Sequence, residues 1–473
     1  MGWRVKSVFW GILVLGALVR LIGVTNPLLD DQGWRQADTA SMALNMLGHL
    51  GYFPDVLFPL LNYDGVGPQR VELEFPFLPY LLAITWTILG WADIWGRLWA
   101  ISFSLITLWG IFECGRLIFS ERVGLWATVI YAVMPLTAYY GRVIMPEPVA
   151  QAFSIWALYF ILLWRKEPSS KRLFLAALLM AAAILAKLPQ LMIFPAAIVS
   201  GFWPIRGKLR AMLKYCLLAL FLPMLYYSWV HSGAGEASQF VSGILSDQVL
   251  EGPKMFMTQL KNHLWEGFGF PLLLLAGVGF LRMVWVAIPR KIVSLQKPKD
   301  DYGGFLGIIL WCLISLIYLG AICIRIPLDY YLVPVALPLV LCAGYALDVF
   351  EDIPGFVLGV LLVGLLFVSQ TLVNAPKYTW NDRYLVQAIW IREHTKTEQI
   401  LILSDSPPMT LYYAQRYGFR LKSVEDLKAW EELQAIPGNY LVALPGSRGE
   451  EFWNRVEAEY PQVGPGVYRL EKK

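Results

Sequence analysis

Residues 96–153 read GRLWAISFSLITLWGIFECGRLIFSERVGLWATVIYAVMPLTAYYGRVIMPEPVAQAF and contain two apolar runs, 98–116 and 124–140. Each run approaches the roughly 20 residues that a helix needs to cross the hydrocarbon core of a bilayer. Arg116 ends the first run and Arg122 lies between the two runs, and an arginine and a glutamate follow the second run. This pattern predicts two membrane-spanning helices with charged residues at their ends.

The same character extends over most of the chain. Of its 473 residues, 57% are hydrophobic and 16% are charged, and the mean hydropathy is +0.53. Soluble domains have about 45–50% apolar and about 25% charged residues. The sequence therefore predicts an α-helical polytopic membrane protein with about eleven spans, the other candidates being 8–24, 148–164, 173–187, 189–205, 213–231, 264–288, 304–323, 330–348 and 356–373.

The distribution of Lys and Arg predicts the orientation, because these residues stay in the cytoplasm when they lie in short loops. The run 75–91 is treated as interfacial or re-entrant. If it crossed the membrane, every later loop would change sides, and the excess of Lys and Arg would fall on the outer side. With 75–91 not crossing, the cytoplasmic side carries Arg4, Lys6, Arg116, Arg122, Arg165, Lys166, Lys171, Arg172, Arg206, Lys208, Arg210, Lys214, Arg282, Arg290, Lys291, Lys297 and Lys299. We predict a protein of the cell (inner) membrane with a cytoplasmic N-terminus. The net charge of +4 gives no support to a nucleic-acid partner.

The composition changes after Val373. Residues 374–473 are more charged and alternate short helical and extended patterns, with helices expected at 382–394, 407–418, 423–434 and 448–460 and strands at 399–405, 439–446 and 466–472. We therefore divide the chain into a transmembrane domain, 1–373, whose first outer loop is about 25–96, and a small soluble α/β domain, 374–473, on the extracytoplasmic side of the membrane. This second domain is interpreted as a cap over or beside the membrane cavity.

An acidic stretch follows the first span, at residues 28–47, LLDDQGWRQADTASMALNML. Carboxylates there can act as a general base, bind a metal or mark a solvated loop. The later part of the stretch predicts an amphipathic helix along the membrane surface, whose N-terminus Asp38 or Thr39 can cap. Asp30 and Asp31 are therefore the stronger candidates for chemistry.

Other charged residues are predicted to lie on the outer side of the membrane, as the acidic stretch is. Glu74 precedes the proline-interrupted run 75–91, and Arg142 and Glu147 flank a turn between two spans. Lys187 and Arg325 each end a span, where a pair of cations can hold a phosphate. Snorkelling to the interface is the competing interpretation for the cations, and a favourable helix dipole is the competing one for Glu147.

The order of these pieces, from the acidic stretch through 96–153 and AKLPQ to LDYYLVPVALPL, resembles the protein O-mannosyltransferase and aminoarabinose lipid A transferase superfamily over about residues 8–350. These are membrane glycosyltransferases of the C-type fold, so the resemblance implies that the transmembrane domain, 1–373, is a glycosyltransferase domain. The resemblance implies a sugar donor on a polyprenyl phosphate, reached from the outer leaflet, and an acid of the first outer loop that activates the acceptor hydroxyl. It places that acid at Asp30 or Asp31, a second acid at Glu147 behind Arg142, and a family arginine at Arg97.

The chain also departs from the family pattern. Its acidic motif, DDQGWRQAD, is longer than usual, and an ungapped alignment on ASMALNML puts Arg35 and Gln36 where the acids belong. Glu74 stands where the family often has Lys or His. These departures indicate a distinct subgroup with its own substrate.

The expected function is transfer of a hexosyl or pentosyl group from a polyprenyl-phosphate donor to a hydroxyl of a glycan, lipid or protein acceptor, with inversion at C1. Asp31 is the preferred base, and membrane lipid surrounds the site. The expected substrate-binding residues are Arg35, Glu74, Arg97, Arg142, Lys187, Arg325 and Tyr331. Two adjacent acids can hold a divalent metal, Mg²⁺ or Mn²⁺, whereas the resemblance implies that no metal is needed, and no other cofactor is predicted.

Two other classes of function remain open. A transporter or flippase for a lipid-linked sugar would also carry charges in a membrane cavity, but it would be expected to show repeated halves, which this sequence does not. A binding or assembly protein would use the C-terminal domain and leave the membrane acids dispensable.

Overall fold

A computed structural model describes residues 3–47, 50, 55–234, 253–287, 302–325, 328–349, 353–405, 407–444 and 446–471. The chain divides into two compact units. The first comprises Met1–Val24, Arg97–Ser232 and Phe240–Ala375, and the second comprises Thr25–Gly96, Gly233–Gln239 and Pro376–Lys473. The first outer loop, which the sequence analysis groups with the membrane segments, is thus part of the same unit as the C-terminal residues.

The described residues are mostly helical. In chain order the helices are α1 (Trp3–Leu21), α2 (Gly33–Met46), α3 (Phe77–Leu89), α4 (Asp93–Ile118), α5 (Glu121–Val133), α6 (Pro135–Tyr140), α7 (Glu147–Lys166), α8 (Ser170–Ala186), α9 (Ile193–Phe202), α10 (Leu209–Gly233), α11 (Pro253–Asn262), α12 (Phe270–Ala287), α13 (Tyr302–Arg325), α14 (Val333–Leu347), α15 (Ile353–Asn374), α16 (Arg383–His394), α17 (Met409–Ala414), α18 (Asp426–Ala435) and α19 (Glu450–Glu459). Short 3-10 segments, Leu188–Met192 and Asp329–Leu332, precede α9 and α14.

Within the described ranges, seven helices are long and apolar enough to cross a membrane by length and composition. They are α4, α7, α10, α12, α13, the stretch Asp329–Leu347 that ends with α14, and the stretch Val357–His394 that begins in α15. The run 75–91 forms α3, which has 13 residues and is therefore about 20 Å long, too short to cross an approximately 30 Å core. The chain is a multi-pass membrane protein, and the total of eleven spans stays a prediction.

The run 124–140 was expected to be one helix, but it is divided between α5 and α6. The break falls at Met134, which has an extended backbone and precedes Pro135 at the start of α6. Proline has no amide hydrogen and disfavours helical geometry in the residue before it, which explains the break.

Arg20 explains how a charge is accommodated at the end of the first apolar run. Its side chain is fully buried in the first unit. Nε donates to Ser104 Oγ at 2.6 Å, Nη1 donates to the carbonyl of Ala132 at 3.0 Å, and Nη2 donates to that of Thr137 at 3.0 Å. The guanidinium thus satisfies carbonyls on both sides of the α5–α6 break.

Glycine allows close packing between two helices of the first unit. A Cβ at Gly344 of α14 would lie 2.8 Å from the carbonyl oxygen of Val123 and 2.8 Å from the amide nitrogen of Ala127, both on α5. Small residues at such contacts let helix backbones approach closely in membranes. This contact ties α14, and the Asp329–Leu332 segment before it, to the rest of the first unit.

The second unit contains a five-stranded sheet in the order β4-β3-β5-β7-β6. The pairs β3–β4 and β3–β5 are parallel, whereas β5–β7 and β6–β7 are antiparallel. Strands β3, β5 and β7 and all four helices, α16 to α19, lie where the sequence predicts them. The sequence analysis missed β4 and β6, whose sequences, GFR and QVG, are only partly apolar. The strands are β3 (Leu401–Leu403), β4 (Gly418–Arg420), β5 (Tyr440–Val442), β6 (Gln462–Gly464) and β7 (Val467–Arg469), preceded by the hairpin β1 (Leu60–Leu61) and β2 (Gln69–Arg70).

Residues of the first outer loop extend this sheet at β4. Tyr63 forms a parallel bridge with Gly418, whose amide donates to the carbonyl of Asn62 at 3.2 Å, and the amide of Gly65 donates to the carbonyl of Gly418 at 3.2 Å. Covering an edge strand in this way removes unpaired backbone groups. The pairing explains why the loop and the C-terminal residues form one compact unit.

Candidate active site

The first unit brings together three residues that the sequence analysis named separately. Lys187 Nζ lies 2.7 Å from Glu147 Oε1, and both side chains are less than 10% exposed. The same ammonium lies 5.0 Å from the ring centroid of Tyr330 and 5.3 Å from that of Tyr331. The result is a buried cation held by one carboxylate and two aromatic rings.

Breaks in the helices position these side chains. Glu147 is the first residue of α7, where Pro146 and Pro148 fit the start of a helix because the amides there have no partner within the helix. Lys187 has an extended backbone between the end of α8 and a 3-10 segment that contains Pro189. Charged side chains at such ends can meet between helices without interrupting their hydrogen bonds.

The sequence analysis missed further polar residues in this cluster. Gln151 and Ser154 follow Glu147 on α7 and are buried, and the Ser154 hydroxyl donates to Gln190 Oε1 at 2.8 Å. Positions 147, 151 and 154 share one face of a helix. Polar residues at this spacing within the run 148–164 were the signal that could have revealed them.

The other cations of the first unit that the sequence analysis named as candidates have different surroundings. Arg142 is buried, its Nη1 donates to the carbonyl of Gly23 at 2.9 Å, and its guanidinium lies 4.9 Å from the ring centroid of Tyr139. Arg97 is fully buried in the first turns of α4. Arg325 is the last residue of α13, and its side chain lies outside the described part of the structure.

In the second unit, Gln36 fixes the turn that carries the two candidate bases. Gln36 Nε2 donates to Asp30 Oδ1 at 2.7 Å and to the carbonyl of Asp31 at 3.1 Å. Asp30 is 3% exposed. Asp31 is more accessible, with a side chain that is 32% exposed and Oδ2 at 3.7 Å from Lys377 Nζ. The side chain of Asp31 is therefore more exposed to solvent than that of Asp30.

The helix after these acids begins earlier than expected. Gln32 has a left-handed backbone and α2 starts at Gly33, so Asp38 and Thr39 lie inside the helix and cap nothing. Most of α2 is buried in the second unit, which corrects the expectation of a helix lying along the membrane surface. Arg35 of α2 forms an ion pair with Glu74. Both residues were candidates for substrate binding in the sequence analysis.

Asp38 is the functional candidate that the sequence analysis set aside. It is 3% exposed, and its Oδ1 has no hydrogen-bond partner among the described residues. Burial raises the pKa of Asp38 to about 7, although Arg35, Arg420 and a hydrogen bond from Tyr63 act to lower it. A carboxyl group with such a pKa can exchange a proton near neutral pH.

Residues near Asp38 form a charged contact between the first outer loop and β4. Arg420 donates from Nη2 to Asp64 Oδ2 at 2.8 Å, and its guanidinium lies 3.7 Å from the ring centroid of Tyr63. Burial acts to raise the pKa of Asp64, but Arg420 and Lys422 lower it below its ordinary value. In the ranges that the structure describes, no group of three or more His, Cys, Asp and Glu residues is arranged to hold a metal ion.

The chain shares the C-type fold of solved membrane glycosyltransferases. A family model described as dolichyl-phosphate-mannose-protein mannosyltransferase matches residues 74–229. These findings confirm the resemblance drawn from the sequence. No curated protein matches the chain.

Particular solved structures share the fold at low sequence identity. ArnT from Cupriavidus metallidurans, bound to undecaprenyl phosphate, is 13% identical with a TM-score of 0.66, over 97% of this chain and 96% of that one. The Archaeoglobus fulgidus oligosaccharyltransferase AglB, in complex with an inhibitory peptide and a dolichol-phosphate, is 13% identical with a TM-score of 0.61, over 93% and 70%. The mycobacterial arabinofuranosyltransferase AftD is 13% identical with a TM-score of 0.58, over 100% and 42%.

Proposed function

We propose that this protein transfers a sugar from a polyprenyl-phosphate donor to an acceptor hydroxyl at the outer face of the membrane. The observation that carries the proposal is the turn Asp30–Asp31, which Gln36 fixes directly before α2 in a chain with the C-type fold. A general base must be held in a defined position and remain within reach of its substrate. Gln36 holds the backbone of Asp31, and the Asp31 side chain is 32% exposed, which supports this role.

Asp31 acts as the base in this proposal. It takes the proton of the acceptor hydroxyl as that oxygen attacks C1 of the sugar, and the bond from C1 to the phosphate oxygen breaks with its electrons moving to the phosphate. Attack from the face opposite the phosphate inverts the configuration at C1. Asp30, which is buried and bonded to Gln36, supports the turn.

The cations of the first unit bind the lipid phosphate in the proposal. A departing phosphate gains negative charge, which a buried cation stabilises more strongly than an exposed one. Lys187 fits this role because it is buried and oriented by Glu147 and Tyr331. Arg97, Arg142 and Arg325 are further candidates, and in the second unit Arg35, held by Glu74, orients the acceptor or the base.

The proposal includes a sidedness. The loop 25–96 and the residues after Ala375 face the outer side of the cell membrane, and the N-terminus faces the cytoplasm. The Lys and Arg distribution along the sequence supports this arrangement. Accessibility of single cysteines introduced at exposed Val66 and exposed Arg210 to a membrane-impermeant reagent tests it, with labelling expected only at position 66.

Transfer itself is tested with purified protein in vesicles, radiolabelled undecaprenyl-phosphate hexoses and pentoses, and envelope glycans, lipids and proteins as acceptors. We expect transfer by the wild-type chain, at least a hundredfold loss in Asp31→Asn, and full activity in the matched control Asp382→Asn at an exposed site. Activity retained in both Asp31→Asn and Asp30→Asn would contradict the role of this turn. Movement of the labelled lipid across the bilayer without transfer would favour a transporter.

A further inference from the structure

One face of α7 extends the polar cluster into the apolar part of the first unit. Glu147, Gln151 and Ser154 share this face, and all three are buried. Glu147 pairs with Lys187, and Ser154 donates to Gln190. Gln151 lies between Glu147 and Ser154 on the same face of α7.

Gln151 has polar atoms that no described residue satisfies. The residue is 1% exposed, and neither Nε2 nor Oε1 has a hydrogen-bond partner in the part of the chain that the structure describes. Buried polar groups in folded proteins are nearly always paired, and leaving one unpaired is costly. Gln151 lies about 6 Å further along the helix than Glu147. Its amide is therefore suited to a ligand bound beside the Glu147–Lys187 pair.

Tyr318 of α13 offers a second such group at the same cluster. Its hydroxyl is buried and has no hydrogen-bond partner among the described residues. It is close enough to Glu147 and Tyr331 to interact with both electrostatically. Two helices, α7 and α13, thus each carry a buried, uncharged polar group that has no hydrogen-bond partner among the described residues, and the Tyr318 group is within electrostatic range of Glu147.

The chemistry of these groups selects the ligand. A glutamine amide and a phenol each donate and accept hydrogen bonds, whereas the oxygens of an ionised phosphate only accept. A sugar hydroxyl does both, so it can satisfy Gln151 Nε2 and Oε1 together. We propose that Gln151 and Tyr318 bind hydroxyl groups of the donor sugar, while Lys187 binds the phosphate. This inference rests on the proposed function and deepens it, because it assigns the residues that select the sugar.

The test compares two lipids that differ only by the sugar. Binding of undecaprenyl phosphate, and of undecaprenyl phosphate carrying mannose, glucose or arabinose, is measured by native mass spectrometry for the full-length protein in detergent. For the sugar that wild type binds best, we expect Gln151→Leu and Tyr318→Phe each to weaken binding about tenfold. Binding of undecaprenyl phosphate alone should change less than about twofold, because that lipid lacks the hydroxyl groups.

Gln434→Leu is the matched control, since Gln434 lies in the second unit and its amide donates to Tyr460. Its binding of both lipids should equal that of wild type. Equal weakening of both lipids by Gln151→Leu, no weakening of either, or a wild-type protein that binds the two lipids equally would each overturn the inference. A wild-type protein that binds neither lipid would overturn the proposed function as well.

Discussion

Glu147 and Lys187 form a buried ion pair with 2.7 Å between Oε1 and Nζ, although 40 positions separate them in the sequence. Each residue lies at the end of a different helix, α7 or α8, and the pair joins them. A buried charge without its partner is strongly destabilising, whereas replacing both partners is far less so. This asymmetry leads to a first prediction.

Glu147→Gln should lower the free energy of unfolding by about 3–5 kcal/mol, because it leaves the Lys187 ammonium buried without its carboxylate. The double variant Glu147→Gln with Lys187→Met should recover most of that loss. Thermal unfolding in detergent, followed by tryptophan fluorescence, measures both. Equal destabilisation by the single and double variants would show that the two charges do not stabilise each other.

Arg20→Met should destabilise the first unit by at least about 3 kcal/mol, since it removes bonds to Ser104 and to carbonyls around the α5–α6 break. Arg210→Met, at an exposed position of α10, is the control and should change stability by less than about 0.5 kcal/mol. The same unfolding measurement compares them. A loss no larger than that of the control would contradict the assigned role of Arg20.

Asp38 predicts a pH dependence of stability. Its folded-state pKa is raised from 3.8 to about 7, so the folded protein binds the proton more tightly than the unfolded chain does. The stabilisation is therefore fully present below about pH 4 and is lost as the pH rises towards 7, with a change on the order of a few kcal/mol.

Asp38→Asn keeps the shape of the side chain but removes the group that binds the proton. Relative to wild type it should therefore gain stability steadily between about pH 4 and pH 7. Chemical unfolding across this range measures the difference, in which groups common to both proteins cancel. A difference that is constant with pH would mean that Asp38 does not titrate in this window.

Arg420→Leu should loosen the first outer loop from β4, because Asp64 loses its bidentate partner and Tyr63 loses the stacked guanidinium. Hydrogen exchange at the amides of Gly65 and Gly418, which take part in the pairing, should accelerate at least tenfold. Arg455→Leu, at an exposed ion pair on α19, is the control. Unchanged exchange rates in Arg420→Leu would show that the backbone hydrogen bonds, and not the Arg420 side chain, hold the loop on β4.

How much could be predicted from the sequence varies between the parts of the site. Asp30, Asp31, Glu147 and Lys187 were all found as charges beside apolar runs, because such charges are costly to retain. The partners that hold them, Gln36, Lys377 and Tyr330, were not found, since nothing local marks an uncharged or distant residue as a neighbour. Asp38 was misjudged because the start of α2 depends on the left-handed backbone of Gln32, which the sequence pattern does not reveal.

The sequence by itself determined the membrane class, the short length of α3 and the positions of the helices α16 to α19, because hydrophobic content and periodicity are local properties. The tertiary structure decided which residues meet. It paired Glu147 with Lys187, buried Asp38 beside Arg35 and Arg420, and joined the loop containing Tyr63 to β4. These outcomes depend on contacts between residues far apart in the chain, and burial in such contacts, rather than residue type, sets the pKa and the strength of each interaction.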